Sequence, residues 1–95
     1  MIIRIVQMTF RPEAVAAFTL LFEERKSTIK SFPGCLHLEL WQDSQQPNVF
    51  FTYSHWHEEK DLDHYRFSDF FKDTWGKTKA LFQDTPKAWS VRKIS

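Results

Sequence analysis

From Ile2 to Phe10 the chain is aliphatic and β-branched, with Arg4 and Gln7 as its main polar interruptions. That composition predicts a first strand. The following segment, RPEAVAAFTLLFEERKSTIKSFPG, carries Val15, Phe18, Leu21, Phe22 and Ile29 at a helical period in which Arg25 is the one charged member. Pro12 suits the first helical position, Glu13 complements the positive end of the helix dipole, and Pro33-Gly34 stops the helix. CLHLELWQD then alternates strictly, with Leu36, Leu38 and Leu40 on one face and Cys35, His37, Glu39 and Trp41 on the other. SQQPN reads as a turn and VFFTYSHWH as a third strand, an antiparallel hairpin with a loop of about five residues. A short helix is expected from about Glu58 to Phe67, opened by Glu58, Glu59 and Asp61. Ser68 is a good N-cap for a further helix carrying Phe70, Phe71, Trp75, Thr78, Leu81 and Phe82. After Pro86, KAWSVRKI forms the last strand.

The order β-α-β-β-α(α)-β is the ferredoxin-like split βαβ plan, an α+β fold occupying residues 1–95 as one domain. Both long helices then cover one face of a four-stranded antiparallel sheet. The other face is also apolar: the first strand offers Ile3 and Ile5 to one side and Ile2, Val6 and Met8 to the other. The third offers Val49, Phe51 and Tyr53 to one side and Phe50 and Trp56 to the other. A sheet apolar on both faces needs a second cover, and a second copy of the chain is the simplest one. A homodimer with two sheets face to face is expected.

Size sharpens that expectation. A chain of 95 residues buries only roughly 60–65% of its unfolded surface, which leaves a monomer marginal. Ten Phe and four Trp offset this, or serve a pocket or a subunit contact. Thirteen basic and twelve acidic residues leave a net charge of +1, without the basic face of a nucleic-acid binder. Cys35 is alone, so no intrachain disulfide forms and no oxidising compartment is required. No apolar run approaches a membrane span, and the N-terminal stretch reads as a strand, not a signal peptide. A cytoplasmic protein is the expectation.

Candidate chemistry is sparse. His55 and His57 share a strand face, but a zinc site needs three or four ligands and nothing in the sequence brings His64 to them. No metal is expected, and the two read as partly exposed rim residues. His37 and Glu39 share a face and offer an acid/base pair, although paired polar residues on a half-exposed strand commonly have no such role. Cys35 has no defined activating partner. Two glycines in the whole chain exclude a glycine-rich phosphate loop, and no Ser-His-Asp order is recognisable. Gln7 is an uncharged amide in an apolar strand, so it either bonds locally or points into a cavity.

FPGCLHLEL after the first helix, SHWHEEKDLDHYRFSDFF across the third strand and short helix, and the tail TWGKTKALFQDTPKAWSV together form an ordered pattern. It resembles the antibiotic biosynthesis monooxygenase superfamily over nearly the whole chain. The resemblance implies a dimeric α/β barrel with a pocket between the sheet and helices of each subunit. Some members oxygenate polycyclic aromatic polyketides without metal, flavin or haem, the deprotonated substrate itself reducing dioxygen. The protein then supplies a water-poor cavity, proton transfer and polar groups facing the anion. Other members degrade haem with a strand-one Asn, a strand-three Trp and a helical His.

Carried over, Gln7 takes the place of that strand-one amide and Trp56 that of the strand-three Trp. Trp75 stands where the haem-degrading branch has His, and it cannot ligate iron. Tyr65 takes the place of the family His ahead of the Ser-x-x-Phe element, with His64 one residue earlier. The expected catalytic set is therefore Gln7, Trp56, Tyr65 and His64. The helical aromatics are expected in the core, with Phe22, Phe71 and Trp75 the ones that touch substrate. The reading is a cofactor-independent monooxygenase using dioxygen on a small aromatic or quinol-like molecule. The alternatives are a small-molecule binding or sensing module without turnover and, ranked below it, a haem-degrading oxygenase.

Overall fold

A computed structural model describes residues 1–95. The strands are β1 (Ile2–Thr9), β2 (Cys35–Gln42), β3 (Val49–Trp56) and β4 (Lys87–Val91). The helices are α1 (Val15–Ser31), α2 (Glu59–Arg66) and α3 (Asp69–Lys79). All strand pairs are antiparallel and the sheet order is β2-β3-β1-β4, the ferredoxin-like arrangement.

Local sequence accounts for most boundaries. Pro12 opens a 3-10 turn, Pro12–Ala14, that leads into α1. Gly34 ends the turn after α1 with φ +83, and a Cβ there would lie 2.3 Å from Asp61 Cγ. That crowding is functional in the fold, because Asp61 Oδ2 accepts from Glu58 N at 3.1 Å and so caps α2. Ser68 Oγ accepts from Phe71 N at 3.1 Å and caps α3, as its position predicts. Leu81 and Phe82, expected within that helix, lie just beyond its end.

Strict alternation in β2 fails at its start. The register shifts between Cys35 and His37, so Cys35 sits opposite Trp56, and Leu36 is 57% exposed instead of inside with Leu38. The inserted residue is a β-bulge, which a two-residue period cannot anticipate.

The core forms where β1 and β3 meet α1 and α3. Phe10, fully buried, stacks on Phe18 at 4.0 Å and meets Phe82 at 5.3 Å and Phe50 at 5.9 Å. Met8 completes the cluster. Backbone bonds stitch this end together, Phe10 N to Asn48 O at 2.9 Å and Gln83 N to Thr9 O at 2.8 Å. Arg25, the charged member of α1's apolar stripe, reaches α3 and donates to Asp73 Oδ2 and Thr74 Oγ1, both at 2.8 Å. The opposite sheet face carries half-buried Tyr53 and the exposed Trp41 and Trp89.

Candidate functional site

Away from the Phe10 cluster the helices and sheet do not close on one another. Between them lies a cavity of about 280 Å³, just below the range of about 300–1,000 Å³ for small-molecule sites. The alternation of β1 decides what enters it. Arg4, Val6 and Met8 line the cavity, and the intervening positions face the other way. On β3 the same parity brings in Thr52, Ser54 and Trp56.

An aromatic wall runs along one side. Trp56 is 1% exposed and its Nε1 donates to Ser54 Oγ at 3.0 Å, so the indole N–H is satisfied inside the protein. Tyr65 on α2 stacks on Trp56 at 5.1 Å and meets Phe71 at 5.0 Å. Phe71 stacks on Trp75 at 5.9 Å, and Trp75 meets Phe82 at 5.6 Å, where the wall joins the packed core. Offset and edge contacts at these spacings are favourable ring geometries. They also present flat surfaces to a planar guest. Phe67, 72% exposed, stands at the rim with Pro86 and Ala88.

The polar part of the cavity is cationic. Arg4 donates from Nη1 to Ser90 Oγ at 3.0 Å across the β1–β4 pair and makes no ion pair. Burial pulls its pKa below the ordinary arginine value, the charge of Arg66 lowers it further, and Asp63 partly offsets both. Arginine remains charged under such shifts. Arg66, the last residue of α2, lines the same cavity and is held only loosely, with Nη1 3.8 Å from Asp63 Oδ1. Thr52, Thr74 and Thr78 add hydroxyls, that of Thr78 committed to Thr74 O at 2.7 Å.

Tyr65 is the one phenol in the cavity wall. Burial pushes its pKa well above the usual tyrosine value, with a smaller push from Cys35. It is therefore a hydrogen-bond donor and acceptor, not a base. No Asp, Glu or His side chain lines the cavity. Soft or nitrogen donors for iron are equally scarce: Met8 supplies the only sulfur and there is no imidazole or thiolate in the wall. These residues do not fit haem ligation, and Trp75 occupies the wall where the haem-degrading pattern would have its histidine. Nowhere in the chain do three or more His, Cys, Asp or Glu side chains converge as a metal site would need.

Of the seven expected site residues, Trp56, Tyr65, Phe22, Phe71 and Trp75 line this one cavity. Gln7 and His64 do not. Gln7 has the parity of Ile3 and Ile5, pairs across the sheet with Phe51 and Lys87, and stands on the face away from the helices. His64 is exposed because one residue is about 100° of helix, so Tyr65 and Leu62 turn inward and carry it outward. Its ring touches the edge of Phe32 instead, at 6.2 Å. Neither residue lines this cavity from these positions. The strand residue that does enter is Arg4, and its signal was present: a charge sharing parity with Val6 and Met8 in an otherwise apolar strand. Arg66 and Ser54 gave no comparable signal.

The other polar groups gather on the open sheet face. His37 Nε2 contacts Glu39 Oε2, Trp41 Nε1 donates to Glu39 Oε1 at 2.7 Å, and Tyr53 shares a 2.6 Å hydrogen bond with His55 Nε2. His57 lies past the end of β3 and is exposed.

Comparison with known proteins gives this geometry a lineage. No curated protein matches the sequence significantly. The family model described as antibiotic biosynthesis monooxygenase matches residues 1–76. A crystal structure of an antibiotic biosynthesis monooxygenase shares the fold with a TM-score of 0.93 and 21% identity, covering 100% of both chains. A conserved protein from Methanosarcina mazei Go1 has a TM-score of 0.91 and 23% identity over 98% of this chain and 93% of its own. A protein from Mycobacterium tuberculosis has a TM-score of 0.90 and 15% identity over 99% of this chain and 95% of its own. At those identities the structures speak for the fold alone, and it is the sequence match over residues 1–76 that settles descent: this chain belongs to the antibiotic biosynthesis monooxygenase family.

Proposed function

We propose that the protein is a cofactor-independent monooxygenase acting on a small, electron-rich phenol or quinol-like aromatic held between sheet and helices. The observation that carries this is a cavity walled by Trp56, Tyr65, Phe71 and Trp75 and polarised at one end by Arg4 and Arg66. Flat aromatic surfaces favour a planar substrate, and a fixed cationic end favours its ionised, electron-rich form. In that form a ring methylene tautomer and dioxygen give a carbonyl and water. One oxygen atom enters the product, the other leaves as water, and all four electrons come from the substrate. Trp56 and Tyr65 would hold the ring, and the Tyr65 phenol would donate a hydrogen bond to the developing oxyanion.

Oxygen uptake with a panel of phenols and quinols tests the reading. Turnover that falls at least tenfold in Tyr65→Phe or Trp56→Phe supports it; uptake no faster than without protein across the panel defeats it. A second reading, a binding or sensing module without turnover, is favoured by the lack of any carboxylate or imidazole in the cavity wall. Calorimetric binding of the same compounds without oxygen consumption would establish that reading instead.

We also infer a homodimer joined through the open sheet face. Only 12 of 95 residues are buried in the single chain, and Trp41, Trp89 and Val91 on that face are 40%, 44% and 41% exposed. Such a patch is what a second copy would cover. The lone, half-buried Cys35 is compatible with a reducing, cytoplasmic setting. No helix is long and apolar enough to cross a membrane.

A further inference from the structure

The cavity holds two guanidinium groups and no carboxylate in its wall, and Asp63 outside the wall offsets their charge only in part. Arg4 rises from β1 between Ser54 on β3 and Ser90 on β4, and its only side-chain partner is the neutral Ser90 hydroxyl. Arg66 comes down from α2, and its single carboxylate contact, Asp63, is loose and partly exposed. The rest of the wall is aromatic, aliphatic or hydroxylic. A half-buried arginine without a carboxylate partner, placed beside a second arginine, is a costly arrangement unless an anion joins it.

What kind of anion follows from the second property of the wall. It contains no Asp, Glu or His, and burial keeps Tyr65 protonated, so the wall offers no general base and a phenol that ionises here must give its proton to water. The guest must bring its own charge. A phenol, with a pKa near 10, is almost wholly neutral at pH 7, whereas a carboxylic acid, near 4, is ionised before it binds. The planar fork of a guanidinium also matches a carboxylate by two parallel hydrogen bonds.

We infer that the ligand is an aromatic carboxylate of one or two rings, its carboxylate between Arg4 and Arg66 and its rings along Tyr65, Phe71 and Trp75. This rests on the cavity being the substrate site and narrows the substrate to a hydroxylated aromatic acid. Arg4 is the primary anchor, because it is the more enclosed by the sheet. Arg66 at the rim sets the entry path and the salt dependence.

Titration calorimetry at pH 7 with 2-naphthoate, 2-naphthamide and 2-naphthol, three probes of one shape and different charge, tests it. The acid should bind at least about tenfold more tightly than the amide or the naphthol, as a charge-assisted pair requires. That preference should disappear in Arg4→Gln, persist in part in Arg4→Lys, and shrink with added salt in Arg66→Gln less than in the parent protein. Equal binding of acid and amide overturns the inference, as does a preference untouched by Arg4→Gln. Should Arg4→Gln fail to fold, an acid preference that is smaller in Arg66→Glu than in Arg66→Gln carries the same weight, because a carboxylate at the rim repels the ligand, and equal preference in the two counts against the inference. The outcome is separable from the oxygenase reading. Acid-selective binding without oxygen uptake leaves this inference standing and removes the activity, and uptake with neutral phenols and no acid preference does the reverse.

Discussion

The layer between sheet and helices has two ends that use the same residue types to opposite effect. At one, Phe10 is enclosed by Phe18, Phe50 and Phe82, and backbone bonds from Asn48, Leu81 and Gln83 lock the surrounding segments. At the other, Trp56, Tyr65, Phe71 and Trp75 each find one ring neighbour after another, yet together leave a cavity of about 280 Å³. Aromatic content therefore does not by itself distinguish a core from a site. The difference lies in closure: the first cluster has rings on every side, the second has rings along one side and arginines at one end.

Three substitutions probe that contrast. Phe10→Ala should cost about 3–5 kcal/mol, the range for emptying a tightly packed aromatic position, measured by urea unfolding. A loss below about 1 kcal/mol would mean the packed end is not the stabilising one. Tyr65 comes next, through pH. Below pH 10 its phenol is protonated folded or unfolded. Above that, the unfolded chain ionises freely while the buried phenol resists, so stability falls as pH rises, by about 1.4 kcal/mol per pH unit until the folded group titrates. Unfolding at pH 9 and pH 11 should show Tyr65→Phe losing less than the parent protein by about that amount. The smallest effect on stability belongs to Trp75→Phe, below about 1 kcal/mol, because the removed ring partly faced the cavity and few packed atoms are lost. Its affinity for an aromatic ligand should nevertheless drop several-fold, so Trp75 would separate binding from folding where Phe10 cannot.

Much of this was legible in the order of residues. The strand and helix periods define the ferredoxin-like plan, and Ser68 and Gly34 act where their chemistry places them. The site was half legible. Trp56, Tyr65, Phe22, Phe71 and Trp75 line one cavity, although ring content alone assigns such residues equally well to a core. Gln7 drew attention as a lone amide, but a strand's two-residue period put Arg4 inside and the amide outside. His64 is one helical position from Tyr65, and that step of about 100° is enough to turn it away. Cys35 changed sides because a bulge costs one residue and leaves no mark in composition. Arg66 closes the cavity only through tertiary placement of α2 against β3, which no local pattern encodes.

The four tryptophans divide evenly between the two sides of the sheet. Trp56 and Trp75 stand at the cavity, Trp56 sealed from water, while Trp41 and Trp89 lie on the open face and meet solvent. Intrinsic fluorescence of this chain is thus two optical channels in one molecule. The cavity pair, with Trp56 shielded from water, should report on what enters between sheet and helices. The exposed pair should shift only when something covers the sheet, so titrating ligand and titrating protein concentration should change different parts of one spectrum.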